Sequence, residues 1–241
     1  MVIMISGWAH GPDSLQPIAD ELRREFEVSL RSPAELASTG NSCSAVLCSL
    51  LKDRTTPSLV LGWSMGGMIA MEAALAAPGM VAGLVLLSST ARFCSTEDYP
   101  HGTDPLQLRA MALGLRKDPK NTLGAFFELA SDPQPLSRAK ISRKIETALH
   151  DGIEPLAAGL NYLAETDLRS RITGLHLPVL LFHGKRDRII PWAATTLLAK
   201  LFRKSEMLIC NYDGHDLPAR CPQLIASELT HFYEKHLERR T

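Results

Sequence analysis

The sequence has no excess of charge of either sign. Its 26 lysine and arginine residues balance its 26 aspartate and glutamate residues, so the formal net charge is zero when the histidines are neutral. Binding to nucleic acid through the overall field of a protein requires a basic balance, which this chain does not have. The composition therefore predicts no nucleic-acid partner, and any electrostatic docking has to come from a local patch.

Long hydrophobic runs are also missing. The longest apolar region, residues 65–87, is interrupted by Glu72, Pro78 and several glycines, whereas a membrane-spanning helix needs about 20 apolar residues. The N-terminus has no basic segment before its apolar residues and runs directly into Gly7 and Trp8, unlike a secretory signal peptide. We therefore expect a cytoplasmic protein without membrane association.

Cysteines are few, and their spacing matches no metal-binding motif. An odd number of cysteines does not suit a complete set of disulfides, and reduced thiols are typical of a cytoplasmic protein. The pattern predicts no metal site, and we interpret each thiol as a small apolar residue rather than a nucleophile. The five cysteines are Cys43, Cys48, Cys94, Cys210 and Cys221.

Strand-like and helix-like segments alternate along most of the chain. Such alternation is typical of a parallel sheet covered by helices on both faces, and 241 residues are enough for one such domain. Strands are predicted near residues 2–5, 27–31, 58–62, 83–88, 178–183 and 206–211, and helices near residues 14–25, 42–53, 65–77, 191–202 and 221–238.

The most informative motif is Gly62-Trp63-Ser64-Met65-Gly66, which lies between an apolar run and a helix-forming run. It predicts a strand, a sharp turn and a helix, with Ser64 at the apex. Glycines fit because side chains beside such a turn would collide with neighbouring backbone. A motif of two glycines around a serine also arises by chance. The strand before it and the helix after it favour the interpretation that Ser64 is a nucleophile of acyl transfer.

A serine hydroxyl is a weak nucleophile at neutral pH, so it needs a histidine base oriented by a carboxylate. Asp187 follows the predicted strand at residues 178–183, and His215 follows the next strand along the chain. The carboxyl ends of parallel strands share one edge of the sheet. We therefore expect Ser64, Asp187 and His215 to converge there.

Neighbouring residues compete for these two roles. Asp213 and Asp216 lie beside the histidine and are alternative orienting acids, while Asp187 could be only a turn residue. His183 ends a buried strand and is interpreted as a structural histidine. His215 is favoured as the base because the glycine before it permits a bend toward the serine.

The oxyanion of acyl transfer needs two N–H donors. The N–H of Met65, next to the serine, is the first candidate. The second is the N–H of Trp8, in the loop that follows the first strand. A plain glycine turn leading into a helix is the alternative interpretation of that loop.

The stretch from residue 92 to residue 170 contains no convincing strand and is divided by prolines. Inserted between the fourth and fifth strands, it is predicted to form a helical lid that shapes the acyl pocket and excludes water. The predicted division is a core of residues 1–91 and 171–241 and a lid of residues 92–170. Basic residues cluster in the lid, either as a solvated face or as a docking surface for an acidic partner. They include Arg138, Lys140, Arg143 and Lys144.

With these motifs the chain resembles the α/β-hydrolase superfamily and, within it, the pimeloyl-[acyl-carrier protein] methyl ester esterases of biotin synthesis. The resemblance rests on Gly7-Trp8, on residues 62–67, and on residues 159–163 and 166–169. It departs from the family in two ways, because the usual N-terminal antiparallel strand pair is missing and Ser6 stands where many members have histidine.

The resemblance implies a serine carboxylesterase that hydrolyses the methyl ester of a pimeloyl chain on acyl carrier protein, without a metal or an organic cofactor. It also implies that Trp8 and Trp63 line the pocket and that Arg138, Arg143 and Lys144 contact the carrier. The alternatives are another small-ester carboxylesterase or thioesterase, or a menaquinone-pathway lyase of the same fold. A hydrolase-fold scaffold without catalytic activity is a further alternative from a different functional class.

Overall fold

The computed structural model describes residues 1–37, 43–52 and 55–238. Its centre is a single six-stranded sheet with the order β2-β1-β3-β4-β5-β6, in which every pairing between described strands is parallel. This confirms the predicted fold class. The strands are β1 (Val2–Ile5), β2 (Val28–Arg31), β3 (Ser58–Trp63), β4 (Val81–Leu87), β5 (Val179–Gly184) and β6 (Ser205–Cys210).

Helices cover both faces of this sheet. No helix among the described residues is long and apolar enough to span a bilayer. A 3₁₀ turn at Pro12–Leu15 leads into the first helix. The helices are α1 (Gln16–Leu22), α2 (Pro33–Ala37), α3 (Cys43–Lys52), α4 (Met65–Ala76), α5 (Pro105–Lys117), α6 (Pro119–Ser131), α7 (Arg138–Ala148), α8 (Glu154–Glu165), α9 (Arg169–Ile172), α10 (Trp192–Leu201), α11 (Leu217–Arg220) and α12 (Pro222–His236).

The sheet separates two hydrophobic cores because successive side chains of a strand point to opposite faces. In β3, Val60 packs into the core that contains α4, while Leu59, Leu61 and Trp63 pack into the core that contains α1 and α12. The central strands are buried on both faces, as expected for parallel strands between two helical layers. The packing on both faces holds the central strands in place, and the candidate site lies at the carboxyl ends of these strands.

Helices α5 to α8 lie in the segment between β4 and β5, which we call the insert (residues 92–170). A network of charged side chains joins its two ends: Arg92 pairs with Asp167 at 2.7 Å, and Arg169 contacts both Asp167 and Asp98. Hydrogen bonds from Arg169 lower the pKa of Asp167 to about 2. The network ties the exit from β4 to the return toward β5, and the division into core and lid remains a prediction.

Candidate active site

Ser64 occupies a strained turn between β3 and α4. Its φ of 56° and ψ of −120° lie outside the regions that side chains usually adopt. The turn is held from both sides, because the Ser64 N–H donates to the Leu87 carbonyl at 2.8 Å and the Ser89 hydroxyl donates to the Ser64 carbonyl at 2.9 Å. The end of β4 and the segment that follows it thus fix the backbone of the predicted nucleophile.

The glycines around Ser64 have a steric reason. A Cβ atom on Gly62 would collide with the backbone of Gly66 and Gly67, and one on Gly66 would collide with the Ile5 carbonyl. A Cβ on Gly67 would meet the Ser89 side chain. Strand, helix and turn therefore approach too closely for any residue except glycine at these positions.

The Ser64 hydroxyl forms no hydrogen bond with His215 or with any other residue that the structure describes, and it faces a cavity of about 450 Å³. The N–H groups of Trp8 and Met65 likewise donate to no atom of the described chain. The Trp8 loop packs directly on the turn, since a Cβ on Gly7 would lie 3.2 Å from the Ser64 Cβ. The two predicted oxyanion donors are thus unpaired on either side of the serine.

Internal hydrogen bonds hold the loop that carries Trp8. The Ser6 hydroxyl donates to the His10 carbonyl at 2.7 Å, and the His10 Nδ1–H donates to the Trp8 carbonyl at 2.8 Å. Burial, together with the charge of Lys144, lowers the pKa of His10 well below its usual value, which keeps the imidazole neutral. Ser6 therefore stabilises the shape of the loop.

Asp187 and His215 form the central contact of the site. The His215 Nδ1 lies 2.7 Å from the Asp187 Oδ2, while the other carboxylate oxygen accepts the N–H groups of Ile189 and Ile190 at 2.8 and 2.9 Å. Burial alone would raise the pKa of Asp187, but the two adjacent histidines, His215 first, lower it well below its usual range. An ionised Asp187 fixes the hydrogen on Nδ1, so Nε2 of His215 is left as the proton acceptor.

The rival acids have no such contact. The carboxylates of Asp213 and Asp216 make no hydrogen bond with any described residue, although both lie beside His215 in sequence. His183 has structural partners instead: its Nε2 lies 2.8 Å from the Ile190 carbonyl and 3.3 Å from Asp187. Of these three acids, only Asp187 has a carboxylate that contacts the His215 ring.

The structure does not place Trp63 on the wall of the cavity. Its side chain has no exposed surface, and its Nε1–H donates to the His215 carbonyl at 3.0 Å. The Trp63 ring also lies 5.7 Å from the His215 ring and 4.3 Å from the His10 ring, measured between centroids. We therefore correct its predicted role: Trp63, which immediately precedes Ser64, supports the His215 loop.

A further hydrogen-bonded path joins the Ser64 turn to Asp187. The Thr195 hydroxyl lies 2.9 Å from the Ser89 carbonyl and 2.6 Å from His183 Nδ1, and His183 in turn contacts Asp187. Ser89 already holds the Ser64 carbonyl. Buried side chains thus connect the two halves of the site behind the reacting groups.

This path predicts a positioning role for Thr195. Thr195→Val keeps the shape of the side chain but removes the hydroxyl, and we expect kcat to fall about 10-fold with KM unchanged, because misplaced groups slow the chemical step. Thr195→Ser retains the hydroxyl and should stay near the parent rate. Steady-state kinetics of both variants decide the point: equal activity of the valine and serine variants would show that the hydroxyl has no such role.

The cavity in front of Ser64 is mainly apolar. Trp8 forms one wall, with its Nε1–H donating to the Leu156 carbonyl at 2.9 Å and its ring packed edge to face on Phe126 at 4.9 Å. Arg188, paired with Asp132 at 3.1 Å, supplies a charged side chain. Further apolar walls come from Phe93, Leu108, Met111, Leu129, Leu160 and Leu163.

Gly159 in α8 gives the Trp8 ring its place. A Cβ there would lie 2.6 Å from the Trp8 Cδ1, so Gly159→Ala should displace the indole and, with it, the backbone N–H of Trp8 that is the predicted oxyanion donor. Loss of one such donor costs about 100-fold or more in kcat, and we expect about a 10-fold to 100-fold loss from a displacement. Gly124→Ala is the matched control because its Cβ would meet only Ile145 at 3.7 Å. Parent-like kcat in the Gly159 variant would contradict this role.

The predicted docking residues lie on α7, away from the sheet. Arg138 and Arg143 are exposed, and neither has an acidic partner among the described residues. Lys144 is half-buried and points the other way, with its Nζ 5.6 Å from the centre of the Phe127 ring. The structure therefore separates the two arginines, which face solvent, from Lys144, which packs toward the interior beside His10.

Comparison with known proteins agrees with this architecture. The family model described as alpha/beta hydrolase fold matches residues 52–218. A pimeloyl-[acyl-carrier protein] methyl ester esterase of Xylella fastidiosa is 31% identical over 232 residues, which cover 89% of this chain and 87% of that protein. The biotin biosynthesis bifunctional protein BioHC of Cellvibrio japonicus is 28% identical over 97% of this chain, which spans only 47% of that longer protein.

Solved structures extend the likeness to the fold. An esterase from Exiguobacterium antarcticum matches with a TM-score of 0.83 at 18% identity, over 97% of this chain and 91% of that one. A bromoperoxidase from Bacillus anthracis gives a TM-score of 0.86 at 17% identity, with the same coverage. The family match and the esterase relatives together settle the class: the chain belongs to the α/β-hydrolase family and is a carboxylic ester hydrolase.

Proposed function

We propose that this protein is a serine esterase that removes the methyl group from a pimeloyl methyl ester carried on acyl carrier protein. The contact between Asp187 and His215, at the sheet edge where the Ser64 turn opens into a cavity, is the observation that carries the serine mechanism. The names of the relatives support the substrate. The proposed role therefore lies in biotin synthesis.

The reaction begins when the Ser64 Oγ attacks the ester carbonyl and its proton passes to Nε2 of His215. Asp187 stabilises the imidazolium that forms. The N–H groups of Trp8 and Met65 bind the developing oxyanion. Collapse of the tetrahedral intermediate transfers the proton from His215 to the departing methoxide, which leaves as methanol and yields the acyl-enzyme.

Water completes the cycle by the same steps. His215 removes a proton from the water that attacks the acyl-enzyme, and the second tetrahedral intermediate is held by the same two N–H groups. His215 then returns the proton to the Ser64 Oγ as the acyl bond breaks. The products are methanol and a free distal carboxylate, with no metal or organic cofactor in the scheme.

The cavity suits an acyl chain rather than a polar substrate. Its walls are mostly aliphatic and aromatic, so a chain of methylene groups gains free energy when it leaves water, by about 0.8 kcal/mol for each group buried. Trp8 lies in the wall beside Ser64, near the position of the ester. Generic short esters would fill less of this space than a pimeloyl chain.

The carrier is proposed to dock on α7. Acyl carrier proteins are acidic, and Arg138 and Arg143 offer exposed guanidinium groups without acidic partners in the described chain. Lys144 completes the predicted set, although its contact with Phe127 places it on the side of α7 that faces the interior. We expect the two arginines to contribute most of the docking.

Charge reversal separates docking from chemistry. The double variant Arg138→Glu/Arg143→Glu should lower kcat/KM about 10-fold for the carrier-linked ester and leave the free methyl ester unchanged, because rim charges govern encounter rather than the chemical step. Arg203→Glu/Lys204→Glu is a matched control, since these exposed residues precede β6 at the opposite edge of the sheet. Equal loss on both substrates would remove the docking proposal.

One comparison of substrates tests the function itself. Purified protein is given methyl pimeloyl-acyl carrier protein and, separately, short p-nitrophenyl esters, and the release of methanol and of free carrier thiol is measured. We expect methanol, no free thiol, and a higher kcat/KM for the carrier-linked ester. Thiol release would indicate a thioesterase, equal rates would indicate a general carboxylesterase, and turnover without any acyl-enzyme would favour a lyase.

A further inference from the structure

Three potential metal ligands meet beside the segment that carries His215. Cys210 ends β6, Asp213 lies in the turn that follows, and Cys221 immediately precedes α12. Their two sulfur atoms and a carboxylate oxygen all lie within 4.8 Å of one another. Sequence spacing gave no sign of this cluster, because Cys210 and Cys221 do not form a short cysteine motif.

The cluster has few other partners. The Asp213 carboxylate forms no hydrogen bond or ion pair with any described residue, and the Cys221 thiol reaches only the Leu217 carbonyl, at 3.5 Å, besides its neighbours in the cluster. Cys210 is buried, whereas Asp213 and Cys221 are half-buried and open to solvent. Solvent can therefore reach the cluster at Asp213 and Cys221.

We propose that Cys210, Asp213 and Cys221 bind a divalent ion of the zinc class, with water in the fourth position. Two thiolates and one carboxylate form a tetrahedral ligand set that zinc accepts, and the sulfur atoms select against magnesium and calcium. Each thiol loses its proton to solvent as its bond to the metal forms. The site is separate from the serine chemistry and does not depend on the proposed substrate.

The bound ion would connect the two ends of the segment that carries His215. Cys210 precedes this segment and Cys221 follows it, so shared coordination restrains the loop without using His215 as a ligand. A ligand that binds the folded state alone raises stability in proportion to the logarithm of its concentration above Kd. Zinc should therefore raise the melting temperature of the parent protein, and magnesium should not.

Cobalt(II) is the probe of choice because thiolate ligands give it a charge-transfer absorption in the near ultraviolet. Metal-free, reduced protein is titrated with Co²⁺, and we expect one equivalent to bind with this absorption, which Zn²⁺ then abolishes. Cys221→Ser should remove the absorption, and Asp213→Asn should keep it but weaken binding about 10-fold. Cys94→Ser, a buried thiol outside the cluster, should behave like the parent protein.

Three outcomes would overturn the proposal: no thiolate absorption with excess cobalt, an absorption that persists in Cys221→Ser, or a loss in Cys94→Ser equal to that in Cys221→Ser. Cys221 and Asp213 are only half-buried, so their variants are expected to fold. Circular dichroism of each variant verifies this before titration. A zinc-dependent rise in melting temperature that Cys221→Ser retains would likewise contradict the assigned ligands.

Discussion

Ser64→Ala is expected to lower kcat for a methyl ester by about 10⁴-fold or more while the fold stays unchanged. Removal of the nucleophile ends acyl-enzyme formation and leaves only binding and the oxyanion donors, which is the usual outcome for an enzyme that uses a serine, a histidine and an acid. Stability should stay close to that of the parent, since serine already carries a Cβ at a φ of 56° and alanine adds no strain to the turn. Methanol release and thermal unfolding measure the two effects separately.

Ser58→Ala provides the matched control for this experiment. Ser58 begins the same strand, and its buried hydroxyl has no hydrogen-bond partner in the described chain, so its removal should leave both activity and stability close to the parent values. Residual turnover of Ser64→Ala above a few per cent would exclude Ser64 as the nucleophile. Equal loss in Ser58→Ala would point to a general disturbance of β3.

The second large effect is expected from Asp187→Asn, with a loss of about 10⁴-fold in kcat. The amide can donate a hydrogen bond to Nδ1 of His215, so the ring hydrogen moves to Nε2 and the base can no longer accept a proton from Ser64. The two N–H groups of Ile189 and Ile190 still find an oxygen acceptor at position 187. KM should therefore change much less than kcat.

Asp213→Asn and Asp216→Asn are the discriminating controls, measured in metal-free buffer. Each removes an acid that lies beside His215 in sequence but makes no hydrogen bond to it. Both variants should keep kcat within about 3-fold of the parent, as is usual for substitutions outside a catalytic unit. A loss in either of them as large as that of Asp187→Asn would reassign the orienting acid.

The sheet and the serine turn were predictable because their signals are local. Apolar runs of strand length alternate with helical stretches, and glycines beside Ser64 mark a turn that excludes side chains. The predicted strands agree with the structure to within a few residues. Short helices were missed, since four or five residues give no helical periodicity; these are α2, α9 and α11.

Contacts between distant residues left no comparable signal. Ser89, Thr195 and His183 are far apart in sequence, and only the packing of α10 against β5 and against the segment after β4 brings their polar groups together. The cluster of Cys210, Asp213 and Cys221 was invisible for the same reason. Such contacts depend on how the helices pack on the sheet, and the alternation of strand-like and helix-like segments along the chain does not specify that packing.

The role of Trp63 could have been predicted from periodicity. Leu59, Leu61 and Trp63 alternate along β3 and share the face that packs on α1 and α12, opposite the core that includes α4. A side chain on that face packs between the sheet and the helices α1 and α12, and Trp63 does not line the cavity in front of Ser64. Resemblance to other esterases suggested a pocket residue, whereas the alternation of strand side chains already indicated a buried one.

Covalent labelling of the nucleophile tests the central claim most directly. The protein is treated with a fluorophosphonate, digested and mapped by mass spectrometry, with Ser64→Ala and His215→Gln treated in parallel. We predict one adduct, on Ser64, which is absent from the alanine variant and forms far more slowly in the glutamine variant. An adduct on another residue, or full hydrolytic activity without any adduct, would contradict the assignment of Ser64, His215 and Asp187 as the reacting groups.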